Sequence, residues 1–196
     1  MAYLALVPRQ FAPLLPLETR LLDALRDAAS RACHNIAVGA APASCRLVRA
    51  GFLRWLLIEA IPATRPPITE FLLQRATVAG RLDLGGSCLV VHASFRHCEF
   101  EAPIDLTEAT VRGFELIAGS VPAIWADRLT ALSSVLVCAA ALERSSWAPV
   151  SIAGAIRMNG AHIHGNLDPL RANEDETPAR REFRLEGAEG SSRICP

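Results

Sequence analysis

The chain has 196 residues, with 20 basic and 20 acidic side chains, and every basic one is Arg. It is 51% hydrophobic with a mean hydropathy of +0.26, too apolar for a disordered chain. The balanced charge excludes a generic phosphate-backbone binder and a protein acting through a large acidic field. The missing lysine excludes Lys-dependent phosphate loops and Schiff-base chemistry.

Met1–Val7 is apolar but brief, and Arg9 ends it. Without a basic n-region or a long h-region it does not read as a secretory signal, so a cytoplasmic protein is expected. Peripheral membrane contact through this segment stays open. Next, Leu21, Leu22, Leu25, Ala28, Ala29 and Ala32 recur at helical steps, with Pro16 at a helix start and Asn35 near its end. Leu47, Phe52, Leu53, Leu56, Leu57 and Ala60 predict a second helix, stopped by Pro62. Trp55 lies in that helix among leucines and predicts packing. Residues 1–66 thus read as a helical cap.

After Pro67 the apolar period falls from 3.6 to 2. It is clearest in Val78-Ala-Gly80-Arg-Leu82-Asp83-Leu84, and recurs in Pro103-Ile104-Asp105-Leu106 and Ile163-His-Gly165-Asn-Leu167-Asp168. The first and third share the pattern aliphatic-x-Gly-x-Leu-Asp. Apolar positions recur at 10 to 11 residues, with Gly and Ala at the turns, as in a repeat protein with coils of about 20 residues. The expected fold is mainly β: a short right-handed β-helix, or solenoid, over 67–170, preceded by capping α-helices. Four or five coils at ~4.8 Å each give a stack about 20–24 Å tall. The charge-free run Leu129–Leu142 has 14 residues, short of the roughly 20 of a membrane span, so no transmembrane segment is expected. Residues 171–196 hold the acidic cluster Glu174–Glu176 and few large apolar residues. They read as a polar, loosely docked tail.

The segment Val48-Arg-Ala-Gly-Phe-Leu-Arg54-Trp55-Leu-Leu57, followed by Arg75-Ala-Thr-Val-Ala-Gly80-Arg-Leu82-Asp83-Leu84, resembles a bacterial family with a pentapeptide-like β-helix. In that family a helical R-x-x-(F/I)-(L/I)-R-W-L motif precedes G-A-x-I-x-G-x-L-D-L coils. Phe95-Arg-His-Cys-Glu-Phe100 and Asn159–Asp168 match later segments. The resemblance covers about residues 45 to 170. It implies structural roles for Arg54, Trp55, Gly80, Leu82, Asp83, Ile104, Asp105, Leu106, Gly165, Leu167 and Asp168. Some members carry the label "membrane-associated oxidoreductase". The pattern stops after Asp168, where Pro169 replaces an apolar strand residue, which implies a short member.

Three constellations carry candidate chemistry. His162 and His164 are two apart, so in a strand both imidazoles share a face with Cα atoms about 6.6 Å apart, and they could begin a metal site with Asp168. Ile163 between them predicts an exposed polar face instead. His97 and Cys98, with His92 upstream, place a thiol beside imidazoles. Neighbours in a strand point apart, however, which predicts a buried Cys98 at a coil corner. Asp83, Asp105 and Asp168 could stack as a carboxylate column, or line turns with Arg81 near one of them. The six cysteines form no C-x-x-C pair and read as small buried hydrophobes. No phosphate loop, nucleophile elbow or dinucleotide fingerprint is present, and no cofactor is expected. The favoured function is non-enzymatic: a scaffold or binding module for another protein, with no nucleic-acid partner and with self-association through an exposed end coil. The alternative is an oxidoreductase-like or metal-dependent enzyme using the His and Cys clusters.

Overall fold

The computed structural model describes residues 7–31, 34–39, 45–64, 67–138, 140–142, 146–148, 150–165 and 167–169. The N-terminal residues 1–6 and the polar tail of 171–196 lie outside them. The chain is mainly β, with parallel sheets and two α-helices among the described residues.

After a 3-10 turn at Arg9–Phe11, helix α1 runs from Pro16 to Ser30. Pro16 opens it because the first helical turn needs no intrahelical N–H there. Glu18 reaches back to accept the Leu15 amide at 2.9 Å, half of a capping box. Its buried face is Leu17, Leu21, Leu22, Leu25 and Ala28, at helical spacing. The chain then forms strand β1 (Asn35–Val38) and strand β2 (Leu47–Arg49). Helix α2 (Ala50–Trp55) continues into a π-helical turn at Leu56–Ala60.

The expected helical cap of 1–66 therefore also holds two strands. The second helix starts at Ala50 rather than Leu47, because Leu47, Val48 and Arg49 pair in register with Thr77, Val78 and Ala79. Burial of Val48 in the sheet core overrides local helix propensity. No helix among the described residues is long and apolar enough to cross a membrane.

From β3 (Glu70–Gln74) and β4 (Thr77–Ala79) the chain passes through β5 (Leu82–Asp83) to the long β6 (Cys88–Phe100). Then come β7 (Ile104–Asp105), β8 (Thr110–Val121), β9 (Ile124–Trp125), β10 (Thr130–Ala131) and β11 (Val135–Cys138). An antiparallel hairpin follows, β12 (Ala140–Leu142) with β13 (Ser146–Ala148). The described chain closes with β14 (Val150–Ile152), β15 (Ile156–Arg157), β16 (His162–Ile163) and β17 (Leu167–Pro169). Leu129–Leu142 spans β10, β11 and β12, with Leu129, Ala131, Val135 and Val137 in the core and Leu132 exposed.

The chain returns to the same sheet about every 20 residues. Glu70 pairs with His92, Cys88 with Thr110, and Thr110 with Thr130. A second, four-stranded sheet joins β5, β7, β9 and β15 in order. Its inward residues, Leu82, Ile104, Ile124 and Ile156, stack as one apolar column. In the long sheet Phe71, Ala93 and Phe114 align, and beside them Leu73, Phe95 and Leu116. Alanine opposite two phenylalanines leaves room for Phe95, which stacks on Phe71, Phe100 and Phe114 at 6.0, 5.5 and 5.7 Å.

Two corners repeat with the returns. Gly86, Glu108, Arg128 and Gly160 all have positive φ, each as third residue of a four-residue turn closed by a hydrogen bond such as Ala109 N–H to Leu106 C=O. A left-handed third residue is what a type II turn demands. Arg75, His97 and Ala118 form the second left-handed corner. The hairpin β12–β13 enters at this corner. Cys138 pairs with Ile117 before it, and Val150 pairs with Gly119 after it. So only Ala118 of β8 lies between the two pairings, while the chain from Cys138 to Val150 makes the hairpin.

Candidate recognition face

Inward residues of each return are consumed by the core, so chemistry must lie on the outward side. On the long sheet, Cys88, Thr110, Thr130 and His162 form one outward row. Val90, Arg112, Leu132 and His164 follow two residues on and are exposed. Val90 and Leu132 are large apolar side chains in water, 44% and 59% exposed, on either side of Arg112.

Beyond a β-bulge between Leu89 and His92, the outward face turns polar. Glu115 on β8 is its centre. Its carboxylate accepts the Ser94 hydroxyl at 2.9 Å, lies 3.1 Å from His92 Nε2, and faces the Arg96 guanidinium at 3.8 Å. Ser94 is buried beneath these side chains. Gly113 makes the arrangement possible: a Cβ there would lie 2.8 Å from His92 Cε1, inside the imidazole ring's own space. The Ser94 hydroxyl donates to Glu115 and accepts from Arg96 Nε at 3.4 Å, so the cluster forms a polar platform of mutually bonded side chains.

The short sheet carries a second outward row: Asp83, Asp105, Trp125 and Arg157. Asp83 and Asp105 accept the amides of Gly85 and Thr107, two residues on, at 3.1 and 2.9 Å. Arg81 binds Asp105 and lies over the Trp125 ring, 4.7 Å from its centroid. Burial raises the Asp105 pKa, but hydrogen bonds from Thr107 and Arg81 outweigh it and hold the carboxyl below its ordinary 3.8. Arg128 pairs with Glu108, and Arg157 with Asp127 at 2.5 Å.

Two of the three carboxylates of the candidate column are thus brought together. Asp83 and Asp105 are neighbours, but Asp168 lies in β17 of the other sheet, in register with Leu136. The shared aliphatic-x-Gly-x-Leu-Asp pattern does not mark equivalent places. Gly80 serves a positive φ of 83°, whereas a Cβ on Gly165 would strike the Ser133–Ser134 backbone at 2.6 Å. Leu106 follows Asp105 into the core. Arg54 donates to the Asp83 carbonyl at 2.5 Å and ties α2 to β5. Trp55 packs on Phe11 and Phe52.

His162 and His164 are both exposed on either side of buried Ile163. No group of three or more His, Cys, Asp or Glu among the described residues is placed to hold a metal ion. His97 occupies the left-handed corner, and Cys98 is fully buried after it. Burial pushes the Cys98 thiol up to about 11, with its Sγ 3.4 Å from the Leu73 carbonyl. Such burial favours the protonated thiol, whereas a nucleophilic cysteine needs thiolate character.

Glu115, Asp127 and Arg128 were not legible as a set from local motifs. Their signal is distance: Ser94 to Glu115 and Glu108 to Arg128 are each one return apart. The chain matches no protein-family model, no curated protein and no solved structure.

Proposed function

We infer that residues 67–170 wind as a short right-handed β-solenoid, capped at its start by α1 and α2, and that it works as a non-enzymatic binding module for another protein. The winding is supported by the 20- to 22-residue register steps and by the two columns of left-handed corners. Right-handedness follows from the strong preference of parallel crossovers for that hand. The cap is supported by the packing of α1 on β1 and β2, and of α2 on β5.

One observation carries the binding role: exposed Val90 and Leu132 flank exposed Arg112 on the outer side of a rigid parallel sheet. Exposed apolar area marks interaction sites, and Arg is among the residues that most often anchor an interface. The neighbouring polar groups are already satisfied by one another, so they shape the face without chemistry of their own. The test places a photo-crosslinker at position 132 and, as control, at Asp23 on α1. A single polypeptide captured from 132, absent from 23 and lost in Arg112→Glu, supports the reading. Equal labelling from both positions overturns it.

A further inference from the structure

The composition of the outer face around Arg112 selects its partner. One row holds Cys88, Thr110, Thr130 and His162, and the next holds Val90, Arg112, Leu132 and His164. Ladder bonds carry the second row from strand to strand: Leu132 N–H donates to the Val111 carbonyl, and His164 N–H to the Ala131 carbonyl, both at 2.9 Å. Neither row contains an acidic residue, whereas together they hold one Arg and two His. The carboxylates beside the rows are engaged elsewhere, Glu115 with His92, Ser94 and Arg96, and Glu108 with Arg128. The charge that complements Arg112 on this face is therefore a carboxylate brought by the partner, set between two apolar contacts.

The strand spacing selects the partner's shape. Val90, Arg112, Leu132 and His164 lie on adjacent strands and so recur at steps of ~4.8 Å. From Val90 to Leu132 is then about 10 Å. An extended segment laid along this line offers same-face residues about 6.6 Å apart and overshoots by about 4 Å at its third contact. A helix offers i, i+4 and i+7 on one face over about 10.5 Å, which overshoots by only about 1 Å.

We propose that this face takes an acidic amphipathic helix of a partner protein, lying across the strands. Its apolar side chains at i and i+7 meet Val90 and Leu132, and its carboxylates at i+4 and i+11 meet Arg112 and His164. The proposal rests on the reading of this face as a binding surface for another protein. Helix α1 of a second copy does not meet the requirement: its exposed side beyond Pro16 is Thr19, Arg20, Asp23, Arg26, Asp27 and Ser30, with no apolar pair, and Arg26 already holds Asp23.

Fluorescence anisotropy on the full chain tests the proposal with two labelled, stapled helical peptides. One carries Leu at i and i+7 with Glu at i+4 and i+11, and the other has Lys in place of both Glu. The Glu peptide is expected to bind wild type about tenfold more tightly than the Lys peptide, a gap that narrows as salt is raised. Leu132→Asp loses the Glu peptide. Arg112→Glu keeps the wild-type urea midpoint and reverses the preference, so that the Lys peptide binds better. A version of the Glu peptide interrupted by proline binds wild type about tenfold more weakly, because only a helix keeps step with the strands. Equal binding of the Glu and Lys peptides to wild type, equal binding of the helical and interrupted peptides, or no binding at all overturns the proposal. If a crosslinker at position 132 still captures one polypeptide when the peptides fail, the face binds a partner of another shape and only the helix is lost. Failure of both measurements removes the binding reading as well.

Discussion

The first and the last described strands are flanked differently. At the first, α1 packs on β1 and β2, α2 packs on β5, and Phe11, Phe52 and Trp55 form a ring cluster at 5.6 to 6.0 Å. A fully buried Glu18 sits there, held by Arg49. At the other end, strands β15, β16 and β17 follow one another without a helix among the described residues, and the inward isoleucines regain some contact with water. A stack of parallel strands needs a terminator because each edge exposes a row of unpaired donors and acceptors. The sealed end uses a polar lock as well as apolar cover, which fixes how α1 meets β2.

That lock gives the largest expected effect. Glu18 accepts the Arg49 amide at 3.1 Å, Arg49 Nε at 2.8 Å and Nη2 at 2.5 Å, and the same guanidinium reaches the Phe11 carbonyl at 2.7 Å. Arg49→Met leaves a buried carboxylate without its partner and should cost about 3–5 kcal/mol, read as a lower urea midpoint with an unchanged slope. The pH dependence has a definite sign. Burial raises the Glu18 pKa, but the Arg49 hydrogen bond, the Leu15 and Arg49 amides and the Arg49 charge outweigh it, so the folded value lies below 4.5. Its stabilisation is complete above 4.5 and is lost as pH falls through the lowered folded value. In Arg49→Met the guanidinium's hydrogen bond and charge are gone while burial and the two amides remain, so the deficit should shrink on acidification. A midpoint that falls equally at neutral and acid pH would show that the pair is not the lock.

Between the ends, closeness of backbones sets the cost of a substitution. Gly119 lies at the corner where the hairpin enters the next return. It has a φ of 103°, and a Cβ there would lie 2.8 Å from Cys98 N and closer still to its carbonyl oxygen. Gly86, with φ of 63°, has open space around it. Gly119→Ala should therefore cost about 2–3 kcal/mol, from strain plus a forced backbone shift, and Gly86→Ala only about 1 kcal/mol from the left-handed conformation. Matching losses in thermal unfolding for the two variants would mean that returns at this corner are not tightly stacked.

Strand period after Pro67 and the apolar face of α1 were legible because each is written in local spacing. Val48 was not, since only its pairing with Val78 makes a strand of residues that read as helix. Asp168 misled for the opposite reason: a local pattern shared with Asp83 recurs on a different sheet. The left-handed corners are filled by Glu108, Arg128, His97 and Ala118 as well as by glycines, so residue type conceals them. The Glu115 platform joins side chains one return apart, which becomes visible only when the return length is known.

The finest contrast lies within one column. Ile104 and Ile156 occupy the same inward row of the short sheet, linked through Ile124, and differ chiefly in distance from the sealed end. Ile104 is wholly enclosed and Ile156 retains 7% exposure. Truncation to Ala removes the same atoms, so the transfer loss is nearly equal. The cavity contribution is not: a gap between two covered returns stays empty, whereas neighbours at an edge can relax into it. Ile104→Ala should thus cost about 3 kcal/mol and Ile156→Ala about 1 kcal/mol less. Denaturation of both single variants measures the difference, and equal losses would show that the last return is packed as tightly as the interior ones.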